Sequence, residues 1–194
     1  MMEYHNIFPV VIGLCENKNH NLIKDKLVTE CNILKTKVTK GGDNWDVSTF
    51  NTCGSYNLTE YKKFNLLHKW ILKQVQEYIM KLGYTDNKVK CVSSWFNIYN
   101  QYDYQERHEH LPNDISAIYY LETPKNSGNI KFNSHEPSGV KYCFLQDNPL
   151  TWKSYWIKPK PGMLLIFKSN LSHEVQQNRS SKQKISMALN FKIL

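Results

Sequence analysis

"QERHEHLPNDISAIYYLETP", residues 105–124, is the stretch whose reading decides the fold. Its first half sets His108 and His110 two residues apart. Its second half, from Ile115, is β-branched and aromatic, with Pro112, Asn113 and Asp114 ahead of it and Pro124 behind, which reads as a short strand between turns. On an extended chain, side chains at i and i+2 project to the same face and the one between projects to the other. His108 and His110 therefore present two imidazoles side by side, and Glu109 points away. In a chain with seven histidines this pairing is the first candidate for metal ligation, although such a pair on a strand can also be a plain polar edge.

Working outward, the same short period continues after residue 90. "VSSWFNIYNQY", "NIKFN", "VKYCFL", "SYWIKP", "MLLIFK" and "KISMALNFKI" are all strand-like, with turn residues at 126–128 and at Pro161-Gly162. About seven or eight short strands so spaced predict a sandwich or barrel of the jelly-roll kind. Ahead of residue 90 the pattern differs. "FPVVIGLCE" (8–16) reads as a first strand and residues 20–37 as a helix, with Leu22, Leu27, Cys31 and Leu34 near one face. Residues 41–57 read as a loop. Residues 58–83 read as the clearest helix, opened by Asn57 and Glu60 in capping-box spacing and stopped at Gly83. The expected architecture is one domain over 1–194. It is mainly β, with an N-terminal strand and packing helices (1–90) laid outside one sheet of a double-stranded β-helix, cupin-like core (91–194).

Composition limits the function classes. The chain of 194 residues is 41% hydrophobic and 22% charged, an ordinary globular balance. No apolar run is long enough for a membrane span, and the N-terminus lacks the basic lead of a signal peptide. Five cysteines without CxxC spacing suit reduced thiols, so a cytoplasmic location is expected, or a host's cytoplasm if the source is viral. The net charge of +8 comes almost wholly from Lys, in a sequence also rich in Asn, without a dense basic run interleaved with aromatics. A nucleic-acid surface is the lesser reading.

A third histidine gives the pair its weight. His173 follows "PKPGMLLIFKSNLS", in which a Pro-Gly turn, a buried strand and a short polar loop deliver it to the start of another strand. In a jelly roll, an early and a late strand are expected to face each other across the barrel mouth, so His108, His110 and His173 would meet at one ion. His5, His20, His68 and His135 have no such setting. His68 reads as packing within the second helix, and His135 as loop. Farther on, Lys184 and Ser186 share a strand face and would suit a carboxylate, one by charge and the other by a hydrogen bond. Lys182 lies on the same face and competes for that role.

These pieces together resemble the iron(II)/2-oxoglutarate-dependent oxygenases, and among them the small prolyl-hydroxylase-like members of bacteria and phages. The resemblance runs through residues 91–194, with weaker support from "GGDNW" upstream. It implies a dioxygenase, expected to be a hydroxylase, that binds Fe(II) and 2-oxoglutarate, with ascorbate as an accessory reductant, and releases succinate and carbon dioxide. The family's metal motif is His-x-Asp/Glu with a distant His. His108 and His173 match it, and His110 stands where the carboxylate is usual. Glu109 and Asp114 are the alternative carboxylates, less suited by strand phase and by Pro112. The family's basic-x-Ser pattern maps onto Lys184 and Ser186, and it implies that Tyr119 or Tyr120, with Asn97 and Tyr99, adds to the 2-oxoglutarate pocket. The expected substrate is a protein, peptide or amino-acid side chain, or another small molecule. Modification of nucleic acid, and a non-enzymatic metal-binding jelly-roll module, are the alternatives. Loops 41–57 and 134–152 would select the substrate.

Overall fold

The structure, a computed structural model, describes residues 2, 3, 5, 8–38, 46–135 and 152–194. Ten strands and two α-helices follow in the order β1 (Gly13–Glu16), α1 (His20–Lys37), β2 (Phe50–Asn51), α2 (Asn65–Lys81), β3 (Val89–Tyr99), β4 (Gln105–His108), β5 (Ile115–Glu122), β6 (Ile130–Asn133), β7 (Ser154–Ile157), β8 (Met163–Lys168), β9 (His173–Val175) and β10 (Lys184–Ile193). They form two antiparallel sheets. The larger has the order β1-β8-β5-β10-β3-β2 and the smaller β4-β9-β6-β7. This is the expected jelly-roll core.

The faces of β5 explain the layering. Ile115, Ala117, Tyr119 and Leu121 join one buried cluster with Leu27, Cys31 and Leu34 of α1 and Leu67, Ile71, Val75 and Ile79 of α2. Ile118 and Tyr120 join the other cluster, with Ile130 and Phe132 of β6, Ile157 of β7 and Leu165 and Phe167 of β8. The larger sheet is thus covered by helices on one side and by the smaller sheet on the other. A strand buried on both faces reads as a continuous apolar run rather than as an alternation.

The N-terminal half differs from expectation in detail. The first strand covers Gly13–Glu16 only, paired with β8. The expected long helix divides. Two single 3-10 turns, Leu58–Glu60 and Lys62–Phe64, precede α2, which starts at Asn65. The break coincides with a long-range bond: the Thr59 amide donates to Ser94 Oγ of β3 at 2.9 Å. This ties the segment to the sheet, and Tyr61 between the turns is extended. Asn57 caps the first 3-10 turn rather than the helix. Gly83, at φ +95, is the stop. Within the expected loop, Phe50 and Asn51 form β2, opposite Ile98 and Asn97. "VKYCFL", "GGDNW" and most of the 134–152 loop lie outside the described residues. The four cysteines that are described are all unpaired.

Candidate metal and cosubstrate site

Strand β4 pairs antiparallel with β9, and the register sets His108 opposite His173. The two ligand-bearing strands are therefore hydrogen-bonded neighbours in the smaller sheet, not partners facing across the barrel mouth. Directly opposed residues put their side chains on one face about 5 Å apart, so pairing alone brings the two imidazoles together. His110 follows the end of β4. Its N–H donates to Ser169 O at 2.8 Å, and its carbonyl accepts from the amide and side chain of Asn113 at 3.0 and 2.7 Å. These bonds turn the chain so that its ring meets the other two. Ring centroids lie 4.3 Å (His108–His173), 4.9 Å (His108–His110) and 5.1 Å (His110–His173) apart. One ligand nitrogen from each falls within 4.8 Å of the others.

The backbone sets the tautomers. His108 Nδ1 lies 2.6 Å from Glu106 O, and His173 Nδ1 lies 2.9 Å from Leu171 O. A carbonyl only accepts, so each Nδ1 carries the hydrogen and each Nε2 keeps its lone pair, as a metal ligand requires. Burial, with the neighbouring imidazoles, lowers the pKa of His110 to about 3 and that of His173 well below 6.5, and burial also lowers His108. All three rings are neutral at pH 7. No carboxylate joins them among the described residues. Asp114 is engaged elsewhere, 3.3 Å from Lys192 Nζ and accepting from the Ile193 amide at 2.9 Å. Glu109 is exposed at the cavity rim.

The histidines line a cavity of about 230 Å³ between the two sheets. Its floor is the larger sheet, where Lys184 pairs with Tyr99 and Ser186 with Asn97, all four lining the cavity. Lys184 has no exposed surface. Its Nζ donates to Gly128 O at 3.1 Å and lies 5.4 and 5.6 Å from the ring centres of Tyr99 and Tyr120. It has no carboxylate partner among the described residues, and desolvation lowers its pKa to about 7. The Tyr120 hydroxyl is buried without a hydrogen-bond partner. A buried ammonium and an unmet hydroxyl in one cavity are what a bound carboxylate would satisfy.

Lys182 lies before β10, exposed, and does not line the cavity. Tyr119 is a correction. It faces the helices, its hydroxyl 2.8 Å from His20 Nδ1, so Tyr120 is the tyrosine of that pair in the cavity. Strand alternation requires this, since Tyr120 pairs with Ser186. Sequence reasoning also missed Trp95, whose ring lies 5.6 Å from that of His110, and Asn51, Gln105 and Asn190 on the cavity wall. Trp95 was within reach of the same alternation, two residues before Asn97 and four before Tyr99. The donor set fits a divalent cation that takes nitrogen ligands and leaves further positions open, iron(II) included.

Comparison with known proteins agrees with this geometry. A family model for 2OG-Fe(II) oxygenases matches residues 93–190, half of the chain. No curated protein matches its sequence. Among solved structures, a Pseudomonas putida prolyl-4-hydroxylase superposes with a TM-score of 0.67 at 14% identity, over 95% of this chain and 94% of that one. The viral collagen prolyl hydroxylase of Paramecium bursaria Chlorella virus-1, solved with 2OG, gives 0.62 at 14% identity over 94% and 96%. The epimerase SnoN, in complex with Fe3+, alpha ketoglutarate and nogalamycin RO, gives 0.69 at 9% identity over 94% and 79%. By the family match over its β core, the chain belongs to the 2OG-Fe(II) oxygenases.

Proposed function

We propose that this oxygenase hydroxylates a side chain of a protein, peptide or amino acid, with His108, His110 and His173 as the iron ligands and Lys184 as the counter-ion for the far carboxylate of 2-oxoglutarate. One observation carries the reading. Three neutral imidazoles and a buried lysine without a carboxylate partner among the described residues line the same small cavity. When bound, iron(II) activates dioxygen at the expense of 2-oxoglutarate, which leaves as succinate and carbon dioxide.

The chain's own residues bind, orient and exclude water. The imidazoles are held by backbone carbonyls in the tautomer that presents Nε2. Phe167 and Phe132, with ring centres 4.9 and 5.9 Å from that of His173, wall off one side. Lys184 is aimed by the Gly128 carbonyl and by the two tyrosine rings. A carboxylate beside it would accept from the ammonium and from the Ser186 and Tyr120 hydroxyls, and Asn97 offers a carboxamide on the same floor.

Several observations rank the outcomes. Prolyl hydroxylases recur among the structural neighbours, whereas SnoN shows that the fold also serves an epimerase. Apart from Lys184 no lysine or arginine among the described residues lines the cavity, which disfavours a nucleic-acid substrate. Three protein ligands rather than four leave positions open, which favours an enzyme over a structural metal module. The unpaired described cysteines suit a reducing compartment such as the cytoplasm. The test is succinate formation by the purified protein with iron(II), 2-oxoglutarate and ascorbate. Turnover is expected without added substrate, slowly, and is expected to be lost in His173→Ala. Iron-loaded protein that forms no succinate would overturn the reading.

A further inference from the structure

A second cleft, of about 790 Å³, lies at the opposite end of the barrel. His110 is bonded to Ser169 beside the start of β5, and the cleft begins at Thr123, just past the end of β5, eight residues and roughly 26 Å of strand away. Lys125, Lys158 and Arg179 line it, and among the described residues no acidic or aromatic side chain does. All three are exposed, and none has an ion-pair partner among the described residues. Thr123 Oγ1, also in the lining, is buried without a hydrogen-bond partner.

The frame that holds these cations is well tied. The Arg179 amide donates to Asn126 O, and the Gln176 amide donates to Asn129 O, each at 2.9 Å. Gly128, at φ +79, packs so closely that a Cβ there would lie 2.3 Å from Gln176 O. Three cations on this frame, without a counter-charge among the described residues, produce a positive potential over the cleft. Its volume exceeds the needs of a single phosphate. Without an aromatic face it cannot stack a base, so its recognition falls on charge and on carboxamide donors such as Asn126 and Asn129.

We propose that this cleft binds an oligophosphate, or a small molecule that carries one, through Lys125, Lys158 and Arg179.

The experiment is calorimetric titration of the iron-loaded full chain with tripolyphosphate. Tripolyphosphate is expected to bind, and the Lys158→Gln/Arg179→Gln double variant is expected to weaken it by roughly tenfold or more, since two charge-assisted contacts are lost. Basal succinate formation should not change in that variant. No binding, or binding within twofold of wild type in the double variant, overturns the site. So does a result in which a mixed-sequence single-stranded oligonucleotide binds and tripolyphosphate does not. Lys184→Met should retain tripolyphosphate binding, which separates failure of the cleft from failure of the anchor.

Discussion

Replacing Lys184 with Met should separate stability from binding. The side chain has no exposed surface, and its neighbours among the described residues are one carbonyl and two aromatic rings. Desolvation lowers its pKa from 10.5 to about 7. A folded-state pKa below the unfolded value means that between these pH values the unfolded chain binds more protons. Stability therefore rises with pH across that window, and below about pH 7 the folded protein bears the whole cost of the buried charge. At about 1.4 kcal/mol per unit the cost is at most on the order of 5 kcal/mol, reduced by the Gly128 hydrogen bond and by water in the cavity. Met keeps the length and apolar stem without the charge. In urea unfolding of metal-free protein, Lys184→Met should be more stable than wild type at pH 6, and the difference should close as the pH rises toward 10. Binding should move the other way. Loss of one charge-assisted contact, about 1.5–3 kcal/mol, weakens 2-oxoglutarate by roughly 10- to 150-fold with iron content unchanged. A variant destabilised equally at every pH would refute the buried-charge argument. Unaltered 2-oxoglutarate affinity would move the anchor elsewhere.

The two adjacent tyrosines should respond oppositely. Tyr119→Phe loses the contact with His20 Nδ1 and should cost about 1 kcal/mol in unfolding experiments, with 2-oxoglutarate affinity intact. Tyr120→Phe removes a hydroxyl that has no partner and should leave stability level while weakening 2-oxoglutarate a few-fold, so the reverse pattern would contradict the assigned faces. Gly128→Ala should cost about 2–4 kcal/mol in the same assay, because a Cβ meets Gln176 O at 2.3 Å and the backbone sits at positive φ, and a neutral result would contradict that packing.

Much of this was legible in the sequence because turns and ligands are local signals. Residues 20–37 read as a helix and form one over the same span, and the strands that bracket His108, His173 and Lys184 were delimited by Pro, Gly and Asn. What failed were questions that another part of the chain answers. The start of α2 depends on Ser94, a side chain on a distant strand. Tyr119 and Tyr120 could not be told apart because β5 is apolar on both faces, so no alternation marks its phase. The pairing of β4 with β9 is a matter of sheet order, which periodicity does not encode, and the expectation of facing strands misplaced His173 while still bringing it beside His108 and His110. Strand β2, two residues long, is too short for any pattern to show.

The all-histidine donor set has an electrostatic consequence for the proposed enzyme. With three neutral imidazoles, a divalent ion, a dianionic cosubstrate and the Lys184 ammonium, the centre keeps one positive charge that a carboxylate at position 110 would cancel. The cavity wall does not compensate: among the described residues its polar groups are mainly those of Asn, Gln, Ser and Tyr, with Glu109 as the one carboxylate, exposed on the rim. A dication in such a site would keep its full charge among neutral ligands, where a carboxylate would offset part of it. A bound keto acid would supply the anionic oxygens that the three imidazoles do not. Metal and cosubstrate should therefore each raise the affinity for the other, by the same factor, because linkage is reciprocal. In the proposed enzyme each would then favour the other's arrival, and the ammonium of Lys184 would set the end of the cavity to which the second carboxylate is drawn.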